Sequence, residues 1–468
     1  MSSVSVDATR SSSRGCGPAR GRPETVCGFG RVRPVLVTLV APRDGDEVAE
    51  LLSAAGAEAA ANGLIARGAG MSYGDAAQNE HGLVLDTSGL AGIHGIDSRT
   101  GDVTVGAGTR LAVLLRELSR HGLTLPVVPG TSAPTVGGAI AADVHGKNHR
   151  RVGGFGAHVR ALRLVTPARG ELTVSREEHP DLFEATIGGM GLTGVVTRAT
   201  LRTVVLREPF AIADVDRVGS IEQAIELIDG TPERHSHAIA WLDLLARGSS
   251  FTRAVVTRSR AGEQAGGPGE LQLHEPRPAF AVPLVRPVLP AAARAFNVAY
   301  WARSPRRARE VPMSMAAASF PLDRVDGWNR VYGRGGLVQY QVAVPDGEEW
   351  VLRVMLEMLR ARGLPMYLAT LKRLGASEGG PLSFPIEGWT LAVDLPARAD
   401  GLEHALSRAD RLLAGAGGRV YLAKDVRLSR EVFAAMYPRL QQFAEVRASV
   451  DPQELLRSDL SHRLGLTR

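Results

Sequence analysis

The chain has 468 residues, 44% hydrophobic and 5% aromatic, enough for two domains or one large split domain with a sizeable core. Its net charge of +6 and pI near 9.7 invite a nucleic-acid reading, but the charges are dispersed, with no basic block and little aromatic interleaving, which argues against it. Attraction to a phosphorylated substrate or an anionic membrane surface stays open.

Apolar runs reach strand length, as at 35–41, and the first residues hold no signal-peptide core. The expected location is therefore cytoplasmic or membrane-associated, without Sec export or a transmembrane helix. Two cysteines, Cys16 and Cys27, argue against a disulfide framework.

Residues 1–24 are rich in Ser, Gly, Arg and Pro and read as a disordered tail. Gly28-Phe29-Gly30-Arg31 opens the fold. Over 44–62, Val48, Leu51, Leu52 and Ala55 repeat at helical spacing and Gly63 ends the run. A strand at 64–66 leads into a Gly-rich loop, RGAGMSYGD at 67–75, and strands follow at 83–85 and 103–105. Thr109 is placed to cap a helix that runs to His121 and stops at Gly122. Next comes PGTSAPTVGGAIAADVHGKNH at 129–149, then a strand at 159–165 and a short helix started by Pro180. A third Gly loop, IGGMGLTG at 187–194, precedes 195–206.

Composition shifts after 206. Ser220 and Gln223 form a capping box ahead of 221–228, and 238–245 reads as a strand carrying Trp241. The stretch 258–275 lacks periodicity and reads as a mobile loop. Leu337–Val344 is an apolar strand holding Gln339 and Gln341, and Asp346 and Glu349 are placed to cap a helix to 362. Strands are expected at 366–371 and 390–393, and an apolar helix at 455–464.

Three Gly-rich loops in order, each beside a β-rich run, carry more weight than one, and none fits the single-loop dinucleotide fingerprint. Ser72, Tyr73, Gly74, Gly130, Thr131, Gly137, Gly138, Thr193 and Gly194 offer bare backbone donors and short hydroxyls that suit a pyrophosphate. His145 and Lys147 follow the alanine run and form a polar reaction site; taken alone, the histidine reads equally well as a hydrogen-bonded core residue. Among 55 basic residues there are three lysines, Lys147, Lys372 and Lys424, and the rest are arginines. In that background a lysine marks a place that needs a compact ammonium rather than a planar fork.

RGAGMSYGDAAQN, the 129–149 stretch, ATIGGMGLTGVVTRATL, LSFPIEGW and YLAKDVR together resemble the decaprenylphosphoryl-β-D-ribose 2'-oxidase family, whose FAD domain is of the vanillyl-alcohol-oxidase (PCMH) type. HGKNH is the most specific motif, and the resemblance extends from about Gly28 to near the C-terminus. It implies an α+β, two-domain fold: a first part of the FAD domain at 25–206, a sheet-based substrate cap at 207–416, and a return to the FAD domain at 417–468. It implies an FAD-dependent oxidoreductase that turns the 2'-hydroxyl of a polyprenylphosphoryl-ribose into a ketone. That is the first half of an epimerisation to arabinose for cell-wall polysaccharide. A nicotinamide-dependent keto-reductase would complete the change, and a quinone would take the electrons.

All three lysines fall at family active-site positions. Lys424 would stabilise negative charge on the reduced flavin. An ion pair with Asp425 is the plainer reading, but neighbours on a strand point to opposite faces. Lys147 would attract the phosphate and His145 hold a sugar hydroxyl. Trp241, Gln341 and Lys372 match pocket positions, although Trp241 unaided would be read as core.

Beyond the donor set above, the cofactor positions are Arg67, Gly68, Gly70, Met71, Asp75, Pro129, Thr135, Ala142, His145, Asn148, Gly191, Val195 and Tyr421. Met71 stands where covalent relatives have a flavin-bonded histidine, so the FAD is expected to be non-covalent. Phe29 replaces a usual Trp, a mild departure; Ala392 replaces a pocket cysteine, Thr390 an Asn and Ser319 a Tyr, and these three bear on substrate identity. No metal is expected. The alternatives are an oxygen-using aldonolactone or alditol oxidase of the same fold, or a flavin- or lipid-phosphate-binding protein without turnover.

Overall fold

The computed structural model describes residues 21–54, 62–208, 210–262, 271–274, 277–278, 289–376 and 379–467. A four-stranded sheet runs in the order Arg22–Val26, Val35–Val40, Leu83–Asp86, Leu64–Arg67, with the first pair antiparallel and the others parallel. The first three residues of Arg22–Val26 fall inside the stretch expected to be tail. It is a strand because it pairs residue for residue with the strand after it and buries Val26. Residues 1–20, Cys16 among them, lie outside the described residues.

A five-stranded antiparallel sheet follows, in the order Ile93–Ile96, Val103–Gly106, Val195–Leu201, Val159–Thr166, Gly170–Ser175. The largest sheet has eight antiparallel strands: Arg307–Ser314, Phe210–Val218, Ala254–Ala261, His237–Leu242, Ala369–Leu374, Gly388–Pro396, Leu337–Pro345 and Arg419–Val420. This sheet therefore continues past residue 416.

Helices Ile221–Asp229, Glu349–Ala361 and Leu402–Gly415 pack on this sheet. Glu349–Ala361 turns Val351, Leu352, Met355, Leu356 and Leu359 inward at helical spacing, where they share a core with Val338, Tyr340, Val342 and Val344. Each such fully buried side chain contributes about 1.5–3 kcal/mol as an upper bound. The strand's period of two then sends Gln339 and Gln341 to the opposite face, which the helices leave open.

Several expected helix ends differ. The Thr109 hydroxyl accepts from the Gly92 amide at 2.9 Å, so helix Leu111–Arg120 has no side-chain cap. Asp346 is taken by Arg373, and Glu349 instead accepts from the Gly347 amide at 3.1 Å. Ser220 caps its helix, but Gln223 reaches back to the Gly219 amide rather than to Ser220. The helix expected over 44–62 is seen at Gly45–Ala54, and residues 55–61 are outside the described set. The last helix begins at Asp459, not at 455. Leu455 and Leu456 bond to Leu64 and Asp451, and Ser458 and Ser461 form the capping box.

Candidate active site

A cavity lies where the three glycine-rich loops meet the open face of the large sheet. Ala69, Gly70, Met71, Gly130 and Thr131 line it, and among the described residues their backbone amides have no hydrogen-bond acceptor. The absence of side chains is what lets the loops meet. A Cβ on Gly68 would come within 2.2 Å of the Thr135 hydroxyl, which caps the Gly138 amide at 3.2 Å. A Cβ on Gly74 would sit 1.7 Å from the Asp425 carbonyl oxygen. Gly70, at φ +65°, turns the first loop in the left-handed region.

Of the expected cofactor residues, Gly68, Gly70, Met71, Ser72, Tyr73, Pro129, Gly130, Thr131, Thr135, Gly137, Gly138, Ala142, His145, Gly191, Gly194 and Tyr421 line the cavity. Arg67, Gly74, Asp75, Asn148, Thr193 and Val195 do not; they brace it. Arg67 donates to the carbonyls of Cys27 (2.8 Å) and Ala77 (3.0 Å). Asp75 accepts two bonds from Arg463, at 2.8 and 2.9 Å, and Arg463 also pairs with Asp425 at 2.9 Å. Asn148 donates to the Pro126 carbonyl, Thr193 bonds Thr186, and Val195 is a buried strand residue paired with Val165.

All three lysines wall this one cavity, with His145, and among the described residues no carboxylate lines it. None of the three forms an ion pair among the described residues. Burial pulls Lys147 and Lys372 down to about 8 and Lys424 to about 7; Asp394 opposes the shift at Lys424, and Lys372 adds to it. Lys424 is on a 3-10 turn, Leu422–Lys424, not on a strand. Its ammonium stands 3.5 Å from the centroid of the Tyr73 ring, a cation–π contact, while Asp425 is engaged by Arg463. The Lys147 ammonium donates to the Ala318 carbonyl.

The sheet's register places the remaining pocket residues. Gln341 faces Ala392, Ala392 faces Thr370, and Thr370 faces Trp241, one row across four strands. Lys372 lies opposite Thr390. Gln341 reaches His145 Nε2 at 2.9 Å and Thr390 at 3.2 Å. With Gln341 as donor, His145 carries its proton on Nδ1, which has no partner among the described residues. Burial first, then Lys372, His149 and Lys424, hold His145 well below its ordinary pKa, so it is neutral.

Gln341, Lys372 and Ala392 line the cavity, whereas Trp241 and Ser319 do not. Trp241 packs against Tyr300, ring centroids 4.7 Å apart, and Ser319 is buried at the end of helix Met315–Ser319.

Sequence reasoning missed Asp394. It is fully buried and accepts from Gln339 (2.6 Å) and the Tyr332 hydroxyl (3.0 Å), and burial pushes it up to about 6. It lies opposite Gln339 in the sheet register, a pairing that no local sequence pattern marks. The segment bearing Pro321 and Leu322 also lines the cavity, tied down where Asp323 accepts from the Ser132 amide and hydroxyl, each at 2.7 Å. Nothing local in the sequence marked it.

FAD fits these residues. Its pyrophosphate can take the unpaired amides of two loops, and its negative charge meets ammoniums that have no ion-pair partner among the described residues. This arrangement on these sheets is that of an FAD-linked oxidase of the vanillyl-alcohol-oxidase type. The FAD binding domain family matches residues 38–175, and the D-arabinono-1,4-lactone oxidase family matches residues 402–464.

The chain is 38% identical to the decaprenylphosphoryl-β-D-ribose oxidase of Mycolicibacterium smegmatis, over 94% of this chain and 97% of that protein. On that similarity it belongs to the decaprenylphosphoryl-β-D-ribose oxidase family. It is also 40% identical to an uncharacterized protein in the mprA 5' region of Streptomyces coelicolor, over 76% of this chain and 99% of that one. Identity to the L-gulono-1,4-lactone dehydrogenase of Mycobacterium tuberculosis is 26%, over 91% and 95%.

Proposed function

We propose that this protein oxidises the 2'-hydroxyl of a polyprenylphosphoryl-β-D-ribose to the 2'-ketone. The observation that carries this reading is the convergence of all three lysines on one cavity whose described lining holds no carboxylate. Such a site suits an anionic cofactor and an anionic substrate together. The name of the M. smegmatis relative supports the sugar and the lipid.

FAD, when bound, supplies the hydride acceptor. Met71 gives no proton chemistry for a flavin bond, which supports non-covalent FAD. Lys424 would stabilise negative charge on the reduced form of the bound group, with no rearrangement needed because its ammonium is already set over Tyr73. Lys147 and Lys372 bind and orient the phosphorylated sugar. Neutral His145, fixed by Gln341, hydrogen-bonds a sugar hydroxyl; the hydroxyl proton leaves to a nearby group or water. The ketone product calls for a reductase to finish the epimerisation, and a quinone is the electron acceptor in this reading.

An oxygen-using aldonolactone oxidase is the second reading, favoured by the lactone-oxidase match at 402–464. Anaerobic flavin bleaching across prenylphosphoryl pentoses and free sugars tests both. Bleaching by the former alone is expected; bleaching by free sugars with oxygen consumption would replace the proposal.

A further inference from the structure

The helix Pro290–Arg303 is turned inside out. Its buried side chain is the polar Asn297, which donates to Asp243 at 2.9 Å, and Arg294 donates to the Leu245 carbonyl at 2.9 Å. Its outward stripe is apolar. Leu289, Phe296 and Tyr300 follow at spacings of one face and are 70%, 67% and 40% exposed. The Phe296 and Tyr300 rings stack, 6.4 Å apart and 12° from parallel. A helix on a water-facing surface shows the reverse pattern, and a contiguous exposed apolar stripe marks an interaction site.

Two further observations identify the partner. Residues 289–309 contain five arginines and no acid, and Arg303, Arg306 and Arg307 are exposed at the end of the stripe, in a chain of net charge +6. The stripe also stands beside the cavity: Tyr300 meets Trp241, and Trp241 pairs across the sheet with Thr370, which lines it together with Ala392 and Gln341 of the same row. Aromatic rings beside arginines match the headgroup layer of an anionic membrane. A second copy of the same face would set arginine against arginine.

We propose that this face docks on an anionic lipid bilayer and holds the cavity next to the membrane surface. The test is co-sedimentation of the FAD-loaded protein with vesicles of mixed phosphatidylcholine and phosphatidylglycerol, with pure phosphatidylcholine as the uncharged arm. The unsubstituted protein should prefer the anionic vesicles and release at high salt. Phe296→Ser with Tyr300→Ser should weaken partitioning about tenfold or more. Arg306→Glu with Arg307→Glu should abolish the preference for anionic vesicles.

Trp350→Ser with Val354→Ser, an exposed apolar pair on a different helix, should change nothing. Flavin absorbance and melting temperature show that each variant is folded. Three results would overturn the proposal: no vesicle binding by the unsubstituted protein, unchanged binding after the Phe296/Tyr300 substitutions, or an equal loss in the Trp350/Val354 control. Loss of a dimer in the Phe296/Tyr300 variant without vesicle binding would assign the face to a second copy instead.

Discussion

Replacing Lys424 by Ala should leave FAD bound and slow its reduction by about 10²–10³ fold. The Lys424 ammonium is buried, lies over the Tyr73 ring and has no ion-pair partner among the described residues, so its field acts on the cavity with little screening. A unit charge about 4 Å from a developing anion contributes about 4 kcal/mol at an effective dielectric near 20. Deletions of single preorganised donors cost about 3–4 kcal/mol, which agrees. The same energy appears in the cofactor's midpoint potential, which should fall by roughly 60–90 mV.

Lys424→Arg should fail too, because a planar fork cannot replace a compact charge in a turn packed so closely against Gly74. Anaerobic stopped-flow reduction, with potentials from dye equilibration, measures both quantities. Near-normal reduction with an unchanged potential in either variant would refute the role.

Lys147→Ala should weaken phosphorylated substrates far more than unphosphorylated analogues; equal losses in binding would remove Lys147 from the phosphate site. Acid precipitation should release all the yellow colour, since Met71 offers no flavin linkage, and a coloured pellet would contradict this. The pH dependence follows from the three lysines, lowered from 10.5 to about 8, 8 and 7. Between about pH 7 and 10 the unfolded chain holds more protons than the folded apo-protein, so apo stability should rise with pH across that window. Lys372→Met should flatten the rise, and FAD binding near pH 8.5 should take up protons, read by calorimetry in buffers of different ionisation heat. An apo melting temperature that falls over this window, with no proton uptake, would show that the lysines are not desolvated.

What the sequence made legible was contiguous in it. The glycine loops and HGKNH each bring a wall of the cavity in one short run, and the scarcity of lysine pointed to Lys147, Lys372 and Lys424, which the fold gathers together. Gln339 and Gln341 could be seen to share a face because a strand repeats every two residues. Asp394 could not, because its importance depends on a register across 55 residues that no local pattern displays. The missed caps have a similar cause. Thr109 and Asp346 had the right chemistry at the right offset, but Gly92 and Arg373, distant in sequence, competed for them. Trp241 shows the opposite limit: its strand was legible, but the side chain lies outside the cavity lining, against Tyr300.

The clamp of Arg463 on Asp75 and Asp425 has a consequence for biosynthesis. The first glycine loop is braced by a residue 388 positions later, and Asp459 also receives Gln78 and the Glu80 amide. A ribosome therefore releases the loop long before it makes the brace, and the loop stays unclamped until the helix Asp459–Leu464 has been synthesised and has folded back. Cofactor loading is in this sense a late event in the life of the polypeptide. A fusion partner or lesion at this helix should show itself first as colourless protein rather than as insoluble protein.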